Sequence, residues 1–264
     1  MEYIVTERRE LASGGSIVIL YLDHAATRNS MTLEMGMNFN RELNQLAGDD
    51  APRALIVTGK NGVFSSGGDF QLLKSFADKT PQENREFMEA FYRLFLVVRD
   101  MPFPVLAAVN GHAIGASLAL ALACDLRYFV PSGKYAFNFV KIGMHPGMGS
   151  SYLLRQVGGL AQAQELLLTG RTISGEEAYT RGLCHGLFPP DDILEQVIAV
   201  TEEVGQCAPA ALRLTKLGLS RQPASLDEAL RFEAESQADN FSSRDFLEGI
   251  RAAEEKRPPR FTGE

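Results

Sequence analysis

Four short runs of β-branched and other apolar residues punctuate the first half of the chain, at 17–22, 54–58, 105–109 and 126–130, each bounded by Gly, Pro, Asn or Asp. Runs of this length with turn residues at their ends predict strands. Between them the period changes. Across 81–98, Phe87, Phe91, Leu94 and Val98 recur at helical spacing and form one apolar stripe. Thr80 and Glu83 bracket Pro81 in a capping-box pattern, and the Ser-x-x-Glu spacing at Ser174/Glu177 and Ser225/Glu228 marks two further helix starts. Strands separated by helices predict an α/β architecture with parallel pairing. Beyond residue 191 the strand signal ceases, and helical periodicity runs through 193–204, 210–219, 226–238 and 246–255. With no low-complexity tract or flexible linker between them, the pattern predicts an α/β core over 1–190. A helical region over 191–264 then packs on that core or on another subunit.

Composition narrows the function classes. The 264 residues are 45% hydrophobic and 22% charged, as in a soluble globular protein. Asp plus Glu number 33 against 26 Lys plus Arg, a net charge of -7, which is the wrong sign for binding a phosphate backbone, so no nucleic-acid partner is expected. The longest apolar runs, 95–98 and 118–124, fall far short of the roughly 20 residues that span a bilayer. No membrane partner is expected either. Residues 1–10 carry charges where an export signal needs apolar residues, which predicts a cytoplasmic protein. Cys124, Cys184 and Cys207 form no CxxC pair, so buried, reduced thiols are expected rather than a disulfide or metal site.

Two segments carry the candidate chemistry. In each, a predicted strand runs directly into small residues: Ala54-Leu-Ile-Val-Thr-Gly-Lys-Asn-Gly-Val-Phe-Ser-Ser-Gly-Gly-Asp-Phe70, and Val105-Leu-Ala-Ala-Val-Asn-Gly-His-Ala-Ile-Gly-Ala-Ser-Leu118. Taken singly, Gly67-Gly68 and Asn110-Gly111 read as tight turns. Taken together, N–H groups freed at a Gly turn and at a helix N-terminus can converge on a developing negative charge, which suggests an oxyanion hole.

With Leu22-Asp-His-Ala-Ala-Thr-Arg-Asn-Ser-Met31, Ile142-Gly-Met-His-Pro-Gly-Met-Gly149, Leu168-Thr-Gly-Arg-Thr-Ile-Ser174 and Glu255-Lys-Arg-Pro-Pro-Arg-Phe-Thr-Gly263, these segments resemble the crotonase superfamily, also called the enoyl-CoA hydratase/isomerase family. The resemblance covers nearly the whole chain. It implies a crotonase-like spiral core of ββα units followed by a C-terminal helical trimerisation region, acting on acyl-CoA thioesters as a homotrimer or dimer of trimers. It also implies no cofactor beyond the coenzyme A of the substrate, and no metal. The resemblance places the oxyanion donors on the N–H groups of Gly68 and Ala116, where Ala stands in place of the family's usual Gly. It puts Ser66, Gly68 and Phe70 along the adenine and pantetheine path, Arg28 near the CoA phosphates, and Lys256 and Phe261 over the nucleotide, from this subunit or a neighbour. Asp69, in the same binding set, and Asp125 read as framework residues that satisfy turn or helix-end donors.

The same resemblance exposes a departure. A hydratase of the family uses two Glu residues, whose positions fall here on Ala119 and Phe139. Neither can carry a proton, and a positioned acid or base contributes about 10²- to 10⁴-fold. Phe139, with Leu118 and Ala119, makes this part of the expected pocket apolar, and Gly147 falls where dehalogenases of the family place an Asp nucleophile. His145, in the loop near the missing second Glu, is the candidate relocated base, while His112 reads as a packing residue. Three outcomes stay open: an enolate-stabilising acyl-CoA enzyme that is no ordinary hydratase, a malonyl-type decarboxylase or relocated-base isomerase, and a catalytically silent acyl-CoA-binding subunit.

Overall fold

The computed structural model describes residues 3–48, 51–221 and 223–264. Its strands are β1 (Ile4–Glu10), β2 (Ser16–Leu22), β3 (Ala54–Gly59), β4 (Val105–Val109), β5 (Ala113–Ile114), β6 (Leu126–Phe129), β7 (Lys134–Ala136), β8 (Thr172–Ser174) and β9 (Gly186–Leu187). The helices are α1 (Leu33–Leu46), α2 (Phe70–Lys74), α3 (Pro81–Leu96), α4 (Ala116–Ala123), α5 (Ser150–Thr169), α6 (Gly175–Thr180), α7 (Ile193–Gly205), α8 (Pro209–Ser220), α9 (Leu226–Phe241) and α10 (Arg244–Glu255). The main sheet has the order β1-β2-β3-β4-β6-β9, and a second, three-stranded sheet has the order β5-β7-β8.

The α/β expectation holds, and all four apolar runs are strands. Pairing is parallel from β2 through β3, β4 and β6 to β9, but β1 closes an antiparallel hairpin on β2. β1 escaped the hydrophobic pattern because it is an edge strand: of Ile-Val-Thr-Glu-Arg-Arg-Glu only Ile4 is buried, and charges suit an edge. The other unpredicted strands, β5, β7, β8 and β9, have two or three residues each, too few to display a period.

Both faces of the main sheet are covered, which is why its inner strands are continuous apolar runs rather than alternating ones. Val18, Leu20, Leu55, Val57, Val105 and Ala107 face one core with α1, α3 and α4. Ile17, Ile19, Ile56, Leu106 and Ala108 face the other, against Ile193, Val197 and Ile198 of α7. The first helix of the 191–264 region therefore packs on the sheet itself. The predicted caps form: Thr80 and Glu83 complete a reciprocal capping box, and Ser174 and Ser225 accept from the N–H groups of Glu177 and Glu228. Cys124 and Cys184 are buried as expected, whereas Cys207 is exposed, just beyond the C-cap of α7, in the connection that leads to α8. Among the described residues no helix is long and apolar enough to cross a membrane.

Candidate active site

Because β3 and β4 are parallel neighbours, with Leu55 opposite Val105 and Thr58 opposite Ala108, their C-terminal ends release the two Gly-containing segments side by side. That end of a parallel sheet is where ligands bind in open α/β folds. The segments are then fastened together. The Asn110 amide donates to the Gly59 carbonyl at 2.7 Å, Ser65 N–H donates to His112 at 3.3 Å, and the Ser117 hydroxyl donates to the Ser65 carbonyl at 3.0 Å. From the other side comes the stretch after β2. Buried Asn29 donates to the Val63 and Phe64 carbonyls at 2.8 and 3.1 Å, and Met31 N–H donates to Gly67 at 2.8 Å.

Gly67 is held where only glycine fits. Its φ is +91°, and a Cβ there would lie 2.2 Å from the Ile114 carbonyl oxygen and 3.9 Å from Ala116 N. The Gly67-Gly68 turn thus lies against the first turn of α4. Gly115, with φ 61° and ψ -117°, redirects the chain into that helix, and Ala116 opens it. Its N–H has no acceptor one turn earlier and sits at the positive end of the helix dipole. The Gly68 N–H likewise meets no acceptor among the described residues. Gly68 and Ala116 both border one cavity.

That cavity, about 100 Å³, lies between the two turns, α3 and the loop before α5. It is small beside the roughly 300–1,000 Å³ of many ligand pockets. Its walls are mostly apolar: Met31, Phe91, Ile114, Phe139 and Met148 contribute, with exposed Phe70 at the rim. The Phe139 ring comes within 3.6 Å of where a Cβ on Gly115 would stand, so an aromatic ring walls the approach to the α4 N-terminus. Ala119 is completely buried within α4.

Of the residues singled out in the sequence, Ser66, Gly68, Asp69, Phe70, Ala116 and Phe139 share this cavity. Asp69 caps α2, one carboxylate oxygen accepting from Leu72 N–H at 2.9 Å and the other from the Ser30 hydroxyl at 3.1 Å. Asp125 accepts from Val105 N–H at 2.7 Å and pairs with Lys216 at 2.8 Å. Arg28, His145, Lys256 and Phe261 do not line the cavity. Arg28 is exposed with a left-handed φ of 55°, and its carbonyl takes the Ser66 N–H. His145 is exposed, its Nδ1 2.9 Å from the neighbouring Pro146 carbonyl. His112 accepts the Lys134 N–H on Nδ1 at 3.0 Å. Lys256 caps the end of α10, and Phe261 is tied down through its carbonyl by Arg53 at 2.8 Å.

Tyr92 was not singled out. It lines the cavity from α3, one residue beyond Phe91 of the apolar stripe. Its signal was that offset: a tyrosine at the margin of a buried stripe places its ring in the core and its hydroxyl beyond it. Burial raises its pKa above the ordinary tyrosine value, and a hydrogen bond from the Met148 main chain acts in the opposite direction. The hydroxyl is therefore protonated at neutral pH.

Comparison with known proteins agrees with this architecture. Residues 12–264 match the family described as enoyl-CoA hydratase/isomerase. A Thermus thermophilus protein that carries the name enoyl-CoA hydratase provisionally is 38% identical over 94% of this chain and 98% of its own. The mitochondrial methylglutaconyl-CoA hydratase of Rattus norvegicus is 30% identical over 94% of this chain and 80% of its own. The crystal structure of an enoyl-CoA hydratase from Bacillus anthracis superposes with a TM-score of 0.91 at 29% identity, covering 99% of this chain and all of that one.

Proposed function

The chain belongs to the enoyl-CoA hydratase/isomerase family, and on that premise we propose that it transforms acyl-CoA thioesters by stabilising an enolate between the main-chain N–H groups of Gly68 and Ala116, without the carboxylate pair of a hydratase. The observation that supports this reading is that Gly68 and Ala116 line the same cavity, where Phe139 forms a wall and Ala119 is sealed inside α4. Each such donor is worth roughly 2.7–4 kcal/mol when a negative charge develops on the oxygen it faces.

With neither glutamate available, water addition lacks its acid and base. The chemistry that fits is one in which the substrate supplies the electron pair itself. Loss of CO₂ from a malonyl-type thioester does so: the C–C bond breaks, its electrons form the enolate, and a proton then completes the product. The narrow apolar cavity suits a short acyl group. Exposed apolar side chains on α8–α10, Leu217, Leu219, Leu226, Leu230, Phe241 and Ile250 among them, support self-association of the C-terminal region. Such packing would bring a neighbour's Lys256 and Phe261 to the nucleotide.

The test is a panel of crotonyl-, butyryl-, malonyl- and methylmalonyl-CoA in D₂O, followed by mass spectrometry and CO₂ release. CO₂ release with deuterium incorporation is the expected result. Rapid hydration of crotonyl-CoA would overturn the proposal. Tight binding with neither reaction would instead mark a silent acyl-CoA-binding subunit.

A further inference from the structure

Two side chains with titratable protons line the cavity, Asp69 and Tyr92. Asp69 is committed to the fold, since both carboxylate oxygens accept hydrogen bonds that hold the start of α2. Tyr92 is not. α3 anchors it through its neighbours: Phe91 packs edge-on against Phe95, with ring centroids 5.4 Å apart, and stacks with Phe87 at 6.0 Å. The ring direction is thereby set, and the hydroxyl reaches across the cavity to the 147–148 main chain. A Cβ on Gly147 would lie 2.6 Å from Tyr92 Oη, so glycine at 147 leaves the space the hydroxyl uses.

The Met148 main chain hydrogen-bonds that hydroxyl and favours its ionised form, the effect of an N–H donor. Met148 adopts a left-handed φ of 55°, which turns its peptide out of the ordinary backbone path. Burial raises the Tyr92 pKa above the ordinary tyrosine value, so the hydroxyl keeps its own hydrogen.

We propose that Tyr92 is the catalytic acid of this site, delivering its hydroxyl proton to the α-carbon of the enolate held by Gly68 and Ala116. The inference rests on the enolate-forming function proposed above. The enolate's electron pair forms the new C–H bond and the thioester C=O is restored. The Tyr92 O–H bond breaks, leaving its electron pair on a phenolate oxygen that the Met148 N–H stabilises. Water reprotonates the phenolate as product leaves, so the net proton comes from solvent. A thioester enolate is a far stronger base than a phenolate, so the transfer runs downhill. A neutral hydroxyl also admits a β-carboxylated substrate that a carboxylate acid would repel.

The experiment follows methylmalonyl-CoA in D₂O, with the full-length protein and its Tyr92→Phe variant. It reads turnover, the configuration of deuterium at C2 of the propionyl-CoA formed, propionyl-CoA affinity and thermal midpoint. Wild type is expected to give one configuration. Tyr92→Phe is expected to lose about 10²-fold in turnover and to give both configurations, with propionyl-CoA affinity and thermal midpoint unchanged. A Tyr92→Phe variant that kept wild-type turnover and a single configuration would overturn the assignment while leaving the enolate reading intact. Absence of any turnover in wild type would overturn that reading, and this one with it. A second variant guards against misfolding: 3-fluorotyrosine at position 92 preserves the packing and is more acidic, so the alkaline limb of the pH–rate profile must move to lower pH. An unmoved limb would also remove Tyr92 from the mechanism.

Discussion

Gly67 and Ile114 approach so closely that a single added carbon cannot fit between them: a Cβ on Gly67 would stand 2.2 Å from the Ile114 carbonyl oxygen. This contact presses the turn carrying the Gly68 N–H against the helix start carrying the Ala116 N–H. Gly67→Ala must therefore both strain the backbone at φ +91° and push the donors apart. The expected loss is about 1–3 kcal/mol from backbone strain alone, with turnover down by about 10²-fold or more. Gly62→Ala is the control, because φ there is +69° but nothing lies within 4 Å of the added carbon. It should destabilise without changing turnover per folded molecule. Equal turnover losses in the two variants would mean that the Gly67 contact does not position the donors.

Phe139 falls, by the resemblance read from the sequence, at one of the two positions expected to carry glutamate in a hydratase, and its ring walls the cavity. Phe139→Ala should lengthen the acyl group the site accepts, improving long-chain over short-chain thioesters by about 10-fold or more. Its stability loss should fall at or below the low end of the about 3–5 kcal/mol seen for fully buried phenylalanines, because it already borders a cavity. Isothermal titration with butyryl- and octanoyl-CoA reads the first effect and denaturant melts the second. An unaltered chain-length preference would place the acyl group elsewhere.

Lys216 ties α8 to the core, its ammonium 2.8 Å from Asp125 and 2.9 Å from the Phe103 carbonyl. Lys216→Met leaves both acceptors short of a donor. A loss of about 1–3 kcal/mol is expected, moderated because the Asp125 side chain is 32% exposed. Hydrogen exchange should quicken in α8 before it does in β3 or β4. Uniform acceleration throughout the chain would show that α8 has no separate attachment.

His185 has its pKa lowered from 6.5 by burial and by the neighbouring Arg127 guanidinium. The unfolded chain then binds this proton more readily than the folded one, so the contribution to stability is complete above pH 6.5 and lost as pH falls through the lower folded value. Between neutral pH and about pH 5 the wild-type thermal midpoint should drop more than that of His185→Gln. Parallel curves for the two proteins would contradict this.

The amino-acid sequence on its own determined the inner strands, the capped helices, the helical C-terminal region and the two glycine-bearing turns. These depend on periodicity and turn chemistry within a few residues, and Thr80 with Glu83 or the 54–58 run needs no distant neighbour to be recognised. Only the tertiary structure decided that Gly68 and Ala116 border one cavity, because that depends on β3 lying beside β4 and on Asn29 bonding residues 34 and 35 positions away. It decided likewise that His145 faces solvent while Tyr92 reaches the Gly147–Met148 main chain. A side chain's residue type shows what proton it can carry, but where that proton points follows from packing between segments the chain order keeps apart.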